Sequence, residues 1–189
     1  MKNINSAFMI LLLATVVAVP FHQAPAQDNS STNPAGIGDR VRSMVELGSV
    51  YSNIYDIAVT VLEIARGSEA MNRLRAENAK SPAPAEGSEY ILARIRFELN
   101  GRALNHKLTF ELGDAPLQWV ALSEQLIEYP QVAVAAPAPR LAGTVHPGRS
   151  VEGWVAFAVN RKDTKPVMVF DPDTGGATGR GRTLFFKLY

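Results

Sequence analysis

The sequence predicts an all-β protein, a Greek-key β-sandwich of about seven strands with one short crossover helix. Three observations carry that expectation. From Gly87 to Leu99, Ile91, Ala93, Ile95, Phe97 and Leu99 fall on one side of a period-two pattern, and Arg94, Arg96 and Glu98 on the other. A one-residue slip would bury those charges, each at a cost on the order of several kcal/mol, so the apolar side points inward and asks for a second sheet to cover it. The same alternation returns from Val151 to Val159, where Val151, Gly153, Val155, Phe157 and Val159 oppose Glu152, Trp154, Ala156 and Ala158. Turn signals, among them Asn100-Gly101, Gly113-Asp114 and Pro147-Gly148, separate the short apolar runs.

Residues 1–26 stand outside that fold. Lys2 supplies a positive start, Ala7 to Val19 an apolar run, Pro20 a break, and Ala24-Pro25-Ala26 the small residues of a cleavage site after Ala26. The run falls short of the ~20 residues that span a bilayer, which favours a cleaved signal peptide over an anchor and leaves no membrane span after its removal. Residues 27–37 are polar and expected to form a flexible linker, with the folded domain over 38–189.

Within the domain, Asp39 to Leu47 alternates loosely, with Val41 and Val45 inward. Tyr55 to Ile64 puts Ile57, Val59 and Val61 on one face and Leu62 and Ile64 on the other, which predicts a bulge near Leu62 or a strand covered on both sides. Ser68 can cap a short helix that runs to about Asn78, with Glu69 in its first turn and Met71, Leu74 and Asn78 along one stripe. Ser81 to Gly87, with two prolines, ends it. After the Asn100-Gly101 turn, Lys107 to Leu112 predicts a strand with Leu108, Phe110 and Leu112 inward, and Leu117 to Leu122 a weaker one. Pro130, Pro137 and Pro139 keep Glu128 to Gly143 out of any central strand, so this stretch predicts an extended surface connection between sheets. Gly153 on the inner face leaves room for a large neighbour such as Phe97 or Tyr90, and the outward Trp154 needs a cover that the helix can provide. Pro166 to Phe170 and Leu184 to Tyr189 are the last strands, joined by a long mobile hairpin over Gly175 to Arg182. Ile95, Phe97, Gly153, Trp154 and Phe157 are thus the expected structural positions.

Composition narrows the partners. Lysine plus arginine number 19 against 18 acidic residues, and losing Lys2 with the leader leaves a neutral chain. A neutral domain lacks the basic face that displaces counterions from nucleic acid, so no nucleic-acid partner is expected. The absence of cysteine rules out a disulfide framework and a lipid anchored on an N-terminal cysteine. An exported domain of this size must be held by its core alone.

The stretch Arg66-Gly67-Ser68-Glu69-Ala70, then Glu77-Asn78, Pro84, Glu86-Gly87 and Glu89-Tyr90-Ile91, resembles a family of exported bacterial domains of unknown function with a telokin-like, immunoglobulin-like β-sandwich. Pro147-Gly148, Val151 to Val155 with Phe157, Val169-Phe170 and Phe186 to Tyr189 are similar to the later motifs of that family, in the same order. The chain departs from the pattern at Asn78-Ala79-Lys80 and Ala83, in the corner between helix and strand. The resemblance implies an immunoglobulin-like fold and no catalytic residues. It associates the chain with binding only by analogy of fold.

Candidate chemistry is sparse. Asp171 and Asp173 could serve a calcium ion, but the loop offers about three or four of the six to eight oxygens calcium takes, and aspartates are common turn formers. His106, Asp114 and Ser123 match a hydrolase triad by residue type alone, without a Gly-x-Ser-x-Gly elbow, and His146 before a proline reads as a turn residue. Arg180 and Arg182 sit in a glycine-rich loop that lacks the order of a phosphate cradle, and Arg94 and Arg96 read as a solvated sheet face. The expectation is an exported, non-enzymatic binding module without cofactor, secreted or periplasmic, whose partner is a protein or glycan of the cell envelope. The alternative is a metal-dependent or hydrolytic enzyme using Asp171 and Asp173.

Overall fold

The computed structural model describes residues 29–48, 52–113, 118–131, 134–173 and 179–189; the expected signal peptide lies outside them. Among the described residues the chain is all-β apart from one short helix. In order, the elements are β1 (Arg40–Leu47), β2 (Asn53–Arg66), α1 (Ser68–Glu77), β3 (Ser88–Gly101), β4 (Phe110–Leu112), β5 (Trp119–Leu122), β6 (Gly143–Val145), β7 (Arg149–Asn160), β8 (Val167–Phe170), β9 (Gly179–Gly181) and β10 (Leu184–Lys187). They form antiparallel sheets: a five-stranded one ordered β7-β3-β2-β1-β9, a three-stranded one ordered β10-β8-β5, and the short pair β4-β6.

The alternation along β3 sets the main core. Ile91, Ala93, Ile95, Phe97 and Leu99 are fully buried, beside Val41 and Val45 of β1, Ile57, Val59 and Val61 of β2, and Phe157 of β7. Trp119, Met168, Phe170, Leu184 and Phe186 close the core from the three-stranded sheet, with Phe110 and Leu112 from β4. Phe97 stacks on Phe110 at 5.0 Å between ring centroids, and Trp119 lies 4.4 Å from Phe170. The register of β2 against β3 shifts between Val61 and Glu63, the bulge that the change of face near Leu62 implies.

A second, smaller core lies on the other face of the five-stranded sheet. There α1 sets Ala70 and Leu74 against Ala65, Tyr90, Leu92 and Trp154, and the Arg73 guanidinium sits 5.0 Å from the Trp154 ring. Ser68 does not cap this helix. The N-cap is Gly67, at φ 61° and without a side-chain cap, and its own N–H donates to Tyr90 O at 2.9 Å, so the helix start is fixed by the end of the sheet. At the other end, Ser81 Oγ donates to Leu74 O at 3.0 Å, a second bond to a carbonyl that already accepts the Asn78 N–H.

Several local expectations give way to long-range contacts. The Asn100-Gly101 signal does not make a tight hairpin: β3 runs through Gly101, which pairs with Tyr55 of β2. The chain then loops out, and Leu108 is exposed because its N–H donates to the Tyr55 hydroxyl at 2.9 Å instead of joining a ladder. Gly153 makes room for main chain, not for Phe97 or Tyr90. A Cβ there would strike the Arg140–Leu141 peptide, because Trp154 N–H donates to Pro139 O at 2.8 Å and Leu141 N–H donates to Trp154 O at 3.1 Å. The expected hairpin over 175–182 falls partly outside the described residues, and its described end, β9, pairs with β1 in the other sheet.

The expected linker also packs from Asn29 onward. The Asn29 side-chain amide donates to Phe185 O at 2.6 Å, and its Oδ1 accepts the Phe185 N–H at 2.8 Å, a two-way clamp on β10 with Asn29 itself buried. Ala35 then bridges Phe186 in parallel. A polar residue satisfies main-chain groups here that an apolar one could not. Asn29→Ala is expected to lower stability by about 1–3 kcal/mol, because it leaves the Phe185 N–H unpaired and takes from Phe185 O one of its two donors. Urea denaturation checks this, and a loss below about 0.5 kcal/mol would show that the clamp contributes little.

Candidate functional site

The sequence-derived site residues do not converge. Asp171 Oδ1 accepts the Asp173 N–H at 3.0 Å and Asp173 Oδ1 accepts the Gly181 N–H at 2.9 Å, so both carboxylates serve the turn into β9. Among the described residues no group of three or more histidine, cysteine, aspartate or glutamate side chains is placed to hold a metal. His106 Nδ1 accepts the Arg102 N–H, and its ring lies 4.9 Å from that of Tyr55. Ser123 Oγ accepts the Ile127 N–H in the turn after β5. Asp114 lies outside the described residues. His146 occupies the turn before β7, its carbonyl accepting the Arg149 N–H. Arg180 pairs with Glu46 of β1 at 3.6 Å, and Arg182 is exposed beyond it.

Of the expected structural residues, Ile95 and Phe97 are fully buried in the main core and Phe157 lies at its margin. Gly153 lies under the 139–141 connection and Trp154 under α1. A shallow hollow beside β7, lined by Tyr129, Pro130, Gln131 and Ala156–Ala158, encloses no room even for a water molecule and is therefore no small-molecule pocket.

The Tyr129 hydroxyl, near that hollow, donates to Asp163 Oδ2 at 2.7 Å, tying the connection to the β7–β8 turn. Burial and the Asp163 carboxylate push its pKa up from 10.0 to about 12. A phenol whose folded pKa exceeds its unfolded value contributes stability that is complete below pH 10 and lost as pH rises through 12. Tyr129→Phe is therefore expected to cost about 1 kcal/mol at neutral pH and to flatten the decline above pH 10. Parallel alkaline melting series of the two proteins would show otherwise if the curves fell together.

What the fold does assemble is a charged lattice on the outer face of the five-stranded sheet, beside the part that α1 covers. Cross-strand pairing lines up Arg40, Thr60, Arg96 and Glu152 in one row, and Arg42, Ala58, Glu98 and Ser150 in the next. Arg40 reaches diagonally to Glu98 with bonds of 2.8 and 2.7 Å. Arg96 bonds Glu152 Oε1 at 2.7 Å and Arg94 bonds Oε2 at 3.1 Å. The Arg40 hydrogen bond holds the Glu98 pKa below its ordinary value, and Arg96 does the same for Glu152. In the middle, Ala58 and Thr60 are roofed by these long side chains, at 1% and 7% exposure. Arg42 is different. It acts on Glu98 through its charge alone and makes no hydrogen bond or ion pair among the described residues.

Arg42 also lies on an open strand edge. Segments of the chain touch the other edges of the two larger sheets at points, and β7 away from Trp154 has no strand on its outer side among the described residues. Ala35 flanks β10, with Ala35 N–H donating to Phe185 O at 3.0 Å and Lys187 N–H to Ala35 O at 2.8 Å. The 127–129 segment flanks β5, with Tyr129 N–H donating to Ala121 O at 2.9 Å. Arg140 bridges β7 at Trp154. On β1, the three-residue β9 covers Val45 to Leu47 and stops. Arg40 to Ser43 therefore has no strand on that side among the described residues, while Gly181 lies against the Met44 carbonyl and Met44 is 53% exposed. Sequence reasoning assigned Val41 and Val45 inward and passed over Arg40, Arg42 and Met44. Their alternation was visible; the vacancy beside them was not.

This geometry defines an all-β protein whose five-stranded sheet carries an arginine-lined outer face. No helix of the described residues is long and apolar enough to cross a membrane. No protein-family model and no curated protein matches the chain. Among solved structures, a protein of Bacillus subtilis subsp. subtilis str. 168 described as a lipoprotein (ycdA) is similar at a TM-score of 0.47 and 10% identity, over 69% of this chain. The chain spans about a third of that protein's length, 36%.

Proposed function

We propose that the protein is an exported, non-enzymatic binding module built on an immunoglobulin-like, telokin-like Greek-key β-sandwich, and that it takes an extended segment of an envelope protein onto the open edge of β1. The observation that carries this reading is that Arg40 to Ser43 of β1 has no strand on its outer side among the described residues and lies beside the arginine-lined face. An unpaired edge carries main-chain donors and acceptors at the spacing of another strand, and adding a strand satisfies them. The leader-like residues 1–26 and the cleavage pattern at Ala26 support export.

A photoactivatable cross-linker at position 44 of the full chain, expressed in its own cells, tests the reading. Adducts with an envelope protein from position 44, and few from the exposed Leu104, are expected, together with a mature N-terminus at Gln27. Adducts of equal yield from both positions, or none from position 44, would reject the edge as the contact.

A further inference from the structure

We infer that the segment recognised at the β1 edge is acidic, with two carboxylates spaced two residues apart. The inference rests on the edge reading above and adds the chemistry of the partner. Along the open stretch, outward side chains recur every second residue as Arg40 and Arg42. A strand laid beside β1 places its own alternate side chains directly against these, whichever way it runs. The charges are not equally available. Arg40 already holds Glu98 in a two-pronged bond, whereas Arg42 makes no hydrogen bond or ion pair among the described residues. A carboxylate opposite Arg42 gains a new partner, and one opposite Arg40 joins an existing pair.

A second copy of the chain is the obvious competing occupant, and the register counts against it. Self-pairing centred on Ser43 would match Arg40 with Glu46, but β9 occupies the strand from Val45 onward, with Glu46 opposite Arg180. With β9 against the Met44 carbonyl only Arg40 to Ser43 is free, and a two-fold axis at Val41 or at Arg42 sets arginine against arginine. Like charges directly opposite each other oppose pairing. The same arginine that turns away a copy attracts an acid.

Isotope-labelled protein purified from cells expressing the full chain would be titrated with three peptides. They are Thr-Val-Thr-Glu-Thr-Glu-Thr, its lysine counterpart Thr-Val-Thr-Lys-Thr-Lys-Thr, and a neutral version with glutamine at both positions. The glutamate peptide is expected to shift the amide signals of Arg40 to Met44 and to bind about tenfold tighter than the lysine peptide at low salt. Arg42→Glu is expected to reverse that preference, while Arg42→Gln removes most of it. If all three peptides move the edge amides with equal affinity, the acidic preference is overturned and the edge reading stands. If no peptide moves them, both fall. Concentration-dependent shifts of the same amides without peptide, with a dimer in sedimentation, would make a second copy the occupant and overturn the inference.

Discussion

Gly153→Val is expected to destabilise the protein by about 3–5 kcal/mol, through overpacking and the loss of crossing main-chain hydrogen bonds. Gly153 sits in β7 opposite Ile95, and on its other side the Arg140–Leu141 peptide passes so close that an ideal Cβ would lie 2.5 Å from Arg140 O. The obstacle is main chain and cannot rotate aside. To admit a side chain, the connection must lift, and with it go the bonds from Trp154 N–H to Pro139 O and from Leu141 N–H to Trp154 O. Leu141, fully buried, would be drawn out of the core with them. A fall in melting temperature on the order of 10 °C is the matching expectation for a domain of this size. Urea denaturation measures the effect, and amide exchange at Leu141 and Trp154 locates it. A variant within about 1 kcal/mol of the parent would mean that the connection yields without loss.

Phe170→Ala is expected to cost about 3–5 kcal/mol, the usual range for deleting a fully buried phenylalanine. Phe170 is the hub of the aromatic cluster. Its ring centroid lies 4.4 Å from Trp119, 5.7 Å from Phe97 and 6.2 Å from Phe110. It therefore joins side chains of β3, β4, β5 and β8, and no single neighbour can collapse into the gap. Emission from Trp119 should shift as its stacked partner disappears. Phe185, one position along β10's neighbouring face and half-buried, provides the comparison. If Phe185→Ala proved as damaging as Phe170→Ala, the cluster would not be the centre of the core.

The parts of the fold that were legible in advance are those whose evidence is local. The faces of β3 and β7 follow from alternation, since the cost of burying Arg94, Arg96 and Glu98 admits a single register. The bulge near Leu62 followed from a break in the same alternation, and the helix from a change of period between Ser68 and Asn78. Where neighbours came from far along the chain, pattern misled. Asn29 looked like part of a tether, yet it clamps Phe185, 156 residues away. Leu108 continued an alternating run, yet the Tyr55 hydroxyl took its N–H. Gly153 was rightly read as a place of close approach, but the approaching group was a peptide and not a ring.

The candidate site shows the same division. The sequence alone determined which side chains of β1 lie on one face, because side-chain direction along a strand depends only on counting by two. It also determined the apolar faces that must meet. Whether Arg40 to Ser43 has a strand beside it, and which arginine there is left unpaired among the described residues, was decided by tertiary structure. Those facts depend on where β9 ends, where 29–35, 127–129 and 139–141 come to rest, and which carboxylate Arg40 reaches. Such placements bring together segments distant in the chain, and no local rule of spacing encodes them.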